Sequence, residues 1–548
     1  MVNHGDGDPG HPLVEASNSR RWPVVLGTVV VVAVFVVTWT AALRRPFFDD
    51  DWGYLRVVEY PGWWHSSIWD PGTGIYRPML YVWFALLSAV GGIHPLVFHL
   101  ATMAVVFLVG VLTWRVARAV GLARGAVLAG VVTLLAAGNA YPIAWTAAAS
   151  SPLAVACALG AMLLLMGGRP GLLRMCGAGL LLLAGLLTRE VVIVAPAVFV
   201  VLARVRPTGT FRDAWKRSVP LWVVSVGYLV LRAGSGVGNP PGPYHQQVSA
   251  HAFTNFTVLV MRAVDFSHYY APLPVELVVA VTAGLLAVFG WAIIRRHEVV
   301  VAGLVWFVLG TLPVVFLVNH APDPYYVDFA LPGLALAVGA TGEILTRRLS
   351  TGMATAAGAV VLVVLAVAGF RASQSELATE FGPDITETAK LVAQVDARYP
   401  YPLTGGTTVF VYSDQAARDR ELVTARGSLF AVVRHDRFLG TEVLPLSTYH
   451  QAPRVGVVKP KRGAELRGAV WMVVATTGEV PAAHVRFVVT GPGDRQISVA
   501  AVSTSFGWLG AWTTTSAPNA PYRISCVAVS PTGVSATCAP VPVTVNNP

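Results

Sequence analysis

Residues 22–43 read WPVVLGTVVVVAVFVVTWTAAL, an unbroken apolar run closed by Arg44-Arg45. About 20 apolar residues suffice to cross the hydrocarbon core of a bilayer. The run is longer than the apolar region of a secretory signal, so it reads as an anchor kept in the mature chain. Apolar runs of roughly 17–25 residues recur as far as Phe370. The chain is 55% hydrophobic and 12% charged, far from the composition of a soluble domain. The predicted fold class is an α-helical polytopic membrane protein with about eleven spans, at 22–43, 95–117, 125–140, 150–168, 172–188, 191–204, 219–233, 274–294, 299–318, 325–346 and 352–370.

The net charge of +10 could point to nucleic acid, but its distribution excludes that class. Cations gather in short loops: Arg20-Arg21, Arg115 with Arg118 and Arg124, Arg204 to Arg217, and Arg295-Arg296. Loops of this kind face the cytoplasm. The alternation holds only if 75–90 is an amphipathic helix in the outer interface, where Tyr81, Trp83 and Phe84 are at home. The amino terminus is then cytoplasmic. Segments 44–94, 234–273 and 319–324, with everything after Phe370, lie outside the cell membrane.

Four regions follow: a polar, disordered 1–19, a membrane domain over 20–371, a small extracytoplasmic α/β segment over 372–455, and a β-sandwich over 456–548. Helices are predicted over 384–398 and 420–433, and strands over 407–412 and 442–446. Beyond residue 460 strands are predicted at 469–475, 484–490, 497–504, 523–530 and 538–545, with Gly- and Pro-rich turns between them. Cys526 and Cys538 are equidistant from Thr532. In a hairpin of that register they face each other, which favours a disulfide over two free thiols, and an extracytoplasmic location permits it.

Three aspartates, Asp49, Asp50 and Asp51, follow the first span. Carboxylates at a membrane face are expensive to desolvate and mark candidate functional sites. Beyond them come Trp52, Tyr54 and Tyr76-Arg77-Pro78, and Arg189-Glu190 forms a second charged pair between two spans. Transfer of a sugar from a polyprenyl phosphate needs a base for the acceptor hydroxyl and a cation for the departing phosphate. Asp50 and Arg77 are placed for those roles, although an acidic loop in water is the plainer alternative. Tyr325, in Pro324-Tyr325-Tyr326, opens a span on the outer side and suits contact with substrate or an aromatic belt equally.

The order of these motifs resembles GT-C fold glycosyltransferases. Phe48-Asp49-Asp50-Asp51-Trp52-Gly53-Tyr54-Leu55, Tyr76-Arg77-Pro78-Met79 and His94-Pro95…Phe98-His99-Leu100 are similar to the opening of the branch that contains protein O-mannosyltransferases. Tyr141-Pro142…Trp145 and Thr188-Arg189-Glu190 fit as well, with arginine where that branch usually has lysine. The resemblance implies an inverting transferase using a polyprenyl-phosphate sugar, with Asp50 as base and Asp49 or Asp51 as alternatives in the same triplet. It implies Arg77 and Arg189 at the donor phosphate, with Glu190, Tyr76, His99 and Tyr325 in support. The acceptor would be an envelope glycan, a lipid or a protein. No His/Cys set for zinc is present, and no obligatory metal is expected, with Mg²⁺ or Mn²⁺ as options. The last 85 or so residues resemble bacterial immunoglobulin-like modules, through Phe506-Gly507-Trp508, Trp512-Thr513-Thr514 and Val543-Thr544-Val545-Asn546. The rival class is a transporter or an assembly scaffold with a partner-binding tail. A transporter predicts midplane charges and inverted repeats, whereas here the charges stand at span ends and no repeat is evident.

Overall fold

A succession of apolar helices runs from Arg21 to Arg371, and strands appear only afterwards. The computed structural model describes residues 21–47, 50–58, 62–65, 76–167, 170–206, 209–234, 245–264, 275–318, 322–347, 349–376, 408–414, 440–504 and 507–548. The chain divides into two compact units, Met1–Thr386 and Glu387–Pro548.

In the first unit the helices are α1 (Arg21–Trp39), α2 (Asp50–Val58), α3 (Pro78–Gly91), α4 (Pro95–Ala119), α5 (Arg124–Leu135), α6 (Ser150–Met166) and α7 (Leu172–Thr188). They continue with α8 (Ala195–Arg204), α9 (Phe211–Gly234), α10 (His251–Val264), α11 (Val275–Ile294), α12 (Glu298–Val315), α13 (Leu331–Thr346) and α14 (Thr351–Arg371). Among the described residues, four helical stretches are long and apolar enough to cross a bilayer: Pro95–Ala119, Thr146–Met166, Glu298–Val315 and Gly352–Gln374. Exposed Leu26, Val223, Leu286 and Val360 line the outward faces of α1, α9, α11 and α14. Such faces are stable in lipid rather than water, so this unit is a membrane domain.

Two of the expected spans are built differently. The run 125–140 breaks after Leu135, and Arg124–Leu135 and Ala137–Ala144 are bent by 42°. Backbone carbonyls freed in an apolar interior need internal donors. Asn139 supplies them, its Nδ2 donating to Thr133 O at 2.7 Å and Leu134 O at 3.2 Å, and Trp39 Nε1 donates to Leu134 O at 3.3 Å. The run 191–204 begins as a 3-10 turn, Glu190–Val194, before α8. At 1.5 Å per residue the 10 residues of α8 reach about 15 Å, half a hydrocarbon core.

Glycines set the closest helix crossings. A methyl at Gly303 would stand 2.6 Å from Gly333 O, so α12 and α13 meet backbone to backbone, as small residues permit in a membrane. Gly125 meets Gly339 likewise between α5 and α13. There Glu343 on α13 accepts from Ala123 N at 2.8 Å and Gly125 N at 3.0 Å, satisfying the open amides at the start of α5.

The second unit is strand-rich, as the expected class requires. β1 (Thr408–Ser413) and β2 (Gly440–Pro445) pair in parallel; the two helices predicted around them lie outside the described residues. A sandwich follows, from β3 (Arg454–Lys459) through β4 (Glu465–Leu466), β5 (Ala469–Thr477), β6 (His484–Thr490), β7 (Gln496–Ala500), β8 (Val502–Thr504), β9 (Gly507–Thr513), β10 (Pro521–Val529) and β11 (Ser535–Thr537) to β12 (Val541–Val545). One sheet has the order β4-β12-β10-β6-β7 with β11 on β10, and the other β3-β5-β9-β8. The predicted strand 497–504 is thus two strands that switch sheets at Ala501, and 538–545 pairs only from Val541. Met472, Val474, Phe487, Trp512 and Ile524 fill the space between the sheets. A disulfide joins Cys526 to Cys538, and Cys538 N donates to Cys526 O at 2.9 Å.

Candidate functional site

The acidic triplet divides at the start of α2. Asp50 and Asp51 occupy its first turn, where carboxylates suit the positive end of the helix. Asp50 is exposed, Asp51 is fully buried, and Asp49 lies outside the described residues. Asp51 Oδ1 accepts a 2.7 Å hydrogen bond from Ala147 N, in the 3-10 turn Thr146–Ala149. That turn leads directly into α6, whose first residue, Ser150, accepts from Arg189 Nη1 at 3.2 Å.

Arg189 and Glu190 stand at the break between α7 and α8. Arg189 is extended (φ −160°, ψ 130°) and ends α7, so adjacent side chains diverge. The Arg189 guanidinium goes inward, 1% exposed, with its carbon 4.4 Å from the ring centre of Tyr325 and 4.8 Å from that of Tyr326, a desolvated cation–π arrangement. Its Nε and Nη2 have no hydrogen-bond partner among the described residues, and neither has the buried carboxyl of Asp328, which lies within electrostatic reach of Arg189. Glu190 stays half-buried and meets Arg77 twice, Nε to Oε2 at 3.4 Å and Nη2 to Oε1 at 3.3 Å. Arg77 is itself buried and precedes Pro78, the first residue of α3, where proline's fixed φ suits a helix start.

Burial raises the Glu190 carboxyl, but Arg77 and Arg189, with a smaller effect from Arg232, more than offset it and hold it at about 2. Three guanidinium groups therefore act on the one carboxylate of Glu190, a clustering of donors suited to an anion at this end of the site. Tyr81 closes the arrangement from α3. Burial pushes its hydroxyl up, Asp50 adds to the shift and Arg77 opposes it. Tyr54 packs 5.0 Å from both Tyr81 and Phe84, fixing α2 against α3.

The structure thus gathers Asp50, Asp51, Arg77, Arg189, Glu190 and Tyr325 around one locus. Tyr76 is buried in the core beside them. His99 is fully buried, its Nδ1 2.7 Å from Ile143 O and its Nε2 2.8 Å from Arg45 O; a neutral ring donates to one of them at a time. It ties the segment leading to the acidic triplet to the turn leading to Ala147. Reading the sequence missed Ala147 and Ser150, because a backbone amide and a common serine carry no signal; it gave Arg232 no role, and Asp328 only the substrate-contact alternative it shares with Tyr325. Among the described residues no three His, Cys, Asp or Glu side chains gather to hold a metal ion.

No family model matches the chain, and no curated protein matches it. Among solved structures it is similar to ArnT from Cupriavidus metallidurans in the apo state, at 16% identity over 80% of this chain and 94% of that one, with a TM-score of 0.45. The same enzyme bound to undecaprenyl phosphate gives 16%, 80%, 93% and 0.44. The apo oligosaccharyltransferase of Archaeoglobus fulgidus is 13% identical over 76% of this chain and 64% of its own, at a TM-score of 0.40. Fibronectin(III)-like modules of Clostridium thermocellum CbhA match 17% of this chain and 94% of theirs, at 22% identity and a TM-score of 0.14.

Proposed function

We propose that the protein is an inverting membrane glycosyltransferase that moves a sugar from a polyprenyl-phosphate donor to an acceptor outside the cell membrane. The amino terminus is then cytoplasmic and the strand-rich unit extracytoplasmic, in keeping with its disulfide. The observation that carries the proposal is the linked set Asp51–Ala147–Ser150–Arg189–Glu190–Arg77, which joins an immobilised carboxylate to a pair of buried guanidinium groups. Asp51 takes the proton of the acceptor hydroxyl as its oxygen attacks the anomeric carbon. The bond from that carbon to the phosphate oxygen breaks on the opposite face, and Arg77 receives the departing phosphate with Arg189 acting on it from below. Asp50, exposed beside Asp51, orients the acceptor.

Asp51 is held in place by the Ala147 amide, and the proposed mechanism uses no obligatory metal. Chelation with EDTA leaves turnover intact on this view; a loss restored by Mg²⁺ or Mn²⁺ would assign a cation to the acidic triplet. The primary test is a panel of radiolabelled polyprenyl-phosphate sugars offered to the purified protein in lipid nanodiscs. Transfer or hydrolysis with one donor supports the proposal, and failure to bind any of them refutes it.

A further inference from the structure

The four-stranded sheet of the sandwich turns Met472, Val474 and Trp512 into the core and presents its other face to solvent. On that face Trp471 is 62% exposed. Its cross-strand partner is Ala511, and the next pair along is Val473 with Leu509. A side chain as small as Ala511 leaves the indole plane uncovered. Paired residues share a face, so Lys459, opposite Val473, and Arg454, opposite Thr477, lie on the Trp471 side, and both are exposed. Lys459 is the diagonal neighbour of Trp471, a separation of about 7–8 Å that a lysine spans. Thr477 and Thr513 add hydroxyls to the same face.

Charge on the sandwich as a whole is one-sided. Between Arg454 and Pro548 there are eight Lys or Arg against three Asp or Glu. The three acids, Glu465, Glu479 and Asp494, all stand off the four strands of this sheet, and Glu465 is paired with Arg467 at 3.7 Å. A large exposed ring is the informative kind of surface residue. Here it stands opposite Ala511, with the Thr513 hydroxyl one pair away and Lys459 on the diagonal. Those features fit a glycan chain, one sugar of which lays its C–H face on the indole with its acid group at Lys459, while a sugar further along the strand, about 20 Å away over six residues, meets Arg454.

We infer that the outer face of the β3-β5-β9-β8 sheet is a binding platform for an anionic glycan, centred on Trp471 with Lys459 and Arg454 as charge partners. The inference does not depend on the transfer reaction, and it gives the strand-rich unit a task of its own in holding envelope polymer.

The test uses the full chain in nanodiscs of zwitterionic lipid, immobilised for interferometry, with polygalacturonate as acidic probe and dextran as neutral one. Polygalacturonate should bind, and binding should weaken between 0.1 M and 1 M salt as the screening length falls from about 10 Å to about 3 Å. Trp471→Ala should weaken it about ten-fold and Lys459→Glu at least as much, while Trp471→Phe retains part. Both positions are on the surface, and an unchanged melting profile of each variant establishes that the module is folded. Equal binding by Trp471→Ala, equal binding of dextran, or capture by anionic lipid vesicles in place of polygalacturonate would each overturn the assignment.

Discussion

Replacing Asp51 by asparagine separates the two aspartates that the first turn of α2 places side by side. Asparagine keeps the volume and an oxygen for the 2.7 Å bond from Ala147 N, so the position survives. A hydrogen bond to a charged group contributes about 1.5–3 kcal/mol and a neutral one about 1 kcal/mol, so the stability loss is on the order of 1 kcal/mol. The base, however, is gone, and general-base catalysis supplies a factor of about 10²–10⁴. Transfer should fall by that factor while donor binding stays within about two-fold, since no guanidinium is touched. Asp51→Ala should be worse for the fold, because it leaves a buried amide without an acceptor, at about 1–3 kcal/mol. Asp50 is exposed, and Asp50→Asn should change stability by less than about 0.5 kcal/mol and lower the rate less than Asp51→Asn. The assay is single-turnover label transfer in nanodiscs, with donor affinity and melting temperature measured on the same preparations. Abolished transfer in Asp50→Asn with near-normal transfer in Asp51→Asn would refute the assignment of the buried carboxylate as base.

Arg77→Ala should weaken polyprenyl-phosphate binding about ten-fold or more, because it removes one guanidinium and leaves Glu190 opposing the phosphate; unchanged affinity would remove Arg77 from the donor site. The Glu190 carboxyl is held at about 2 against an ordinary 4.5, a folded value below the unfolded one. Its contribution is therefore complete above about pH 5 and declines as pH falls through 4.5 towards 2. Thermal stability followed from pH 6 to pH 3 should drop more in the wild type than in Glu190→Gln, which has no group to titrate. His99→Phe leaves Ile143 O or Arg45 O without its donor in the interior and should lower stability by about 1–3 kcal/mol, with hydrogen exchange rising in residues 45–58; exchange confined elsewhere would deny it the tie between those segments. Cys526→Ser opens a loop of sequence separation 12 and should destabilise the sandwich by about 2–3 kcal/mol, read as a lower melting transition of the strand-rich unit with the helical unit unchanged.

Much of the architecture is legible in the sequence. Hydrophobic runs, period-two segments and turn residues depend only on neighbours in sequence, so they announced a helical membrane domain followed by a strand-rich one. Helix interiors were harder. Nothing local in 125–140 signals a break, because the bend is stabilised by Asn139 and Trp39 reaching carbonyls that only folding brings near. The split of 497–504 between two sheets is equally nonlocal, since both halves alternate as strands do and pairing alone decides their sheet. In the candidate site, the residue types and their order along the chain pointed to Asp49, Asp50, Asp51, Arg77, Arg189 and Glu190. Which carboxylate faces inward did not follow from three identical letters in a row.

By itself the sequence determined the class of solvent the first unit needs and the kinds of charge held at its helix ends, because transfer free energy and ionisation belong to side chains one at a time. Only the tertiary structure decided that Asp51 is gripped by Ala147, that Arg189 lies under Tyr325 and Tyr326, and that Glu190 answers to three arginines. Those are distances between residues up to 137 positions apart, from Arg189 to Tyr326, and the electrostatic worth of a charge depends on such distances and on burial.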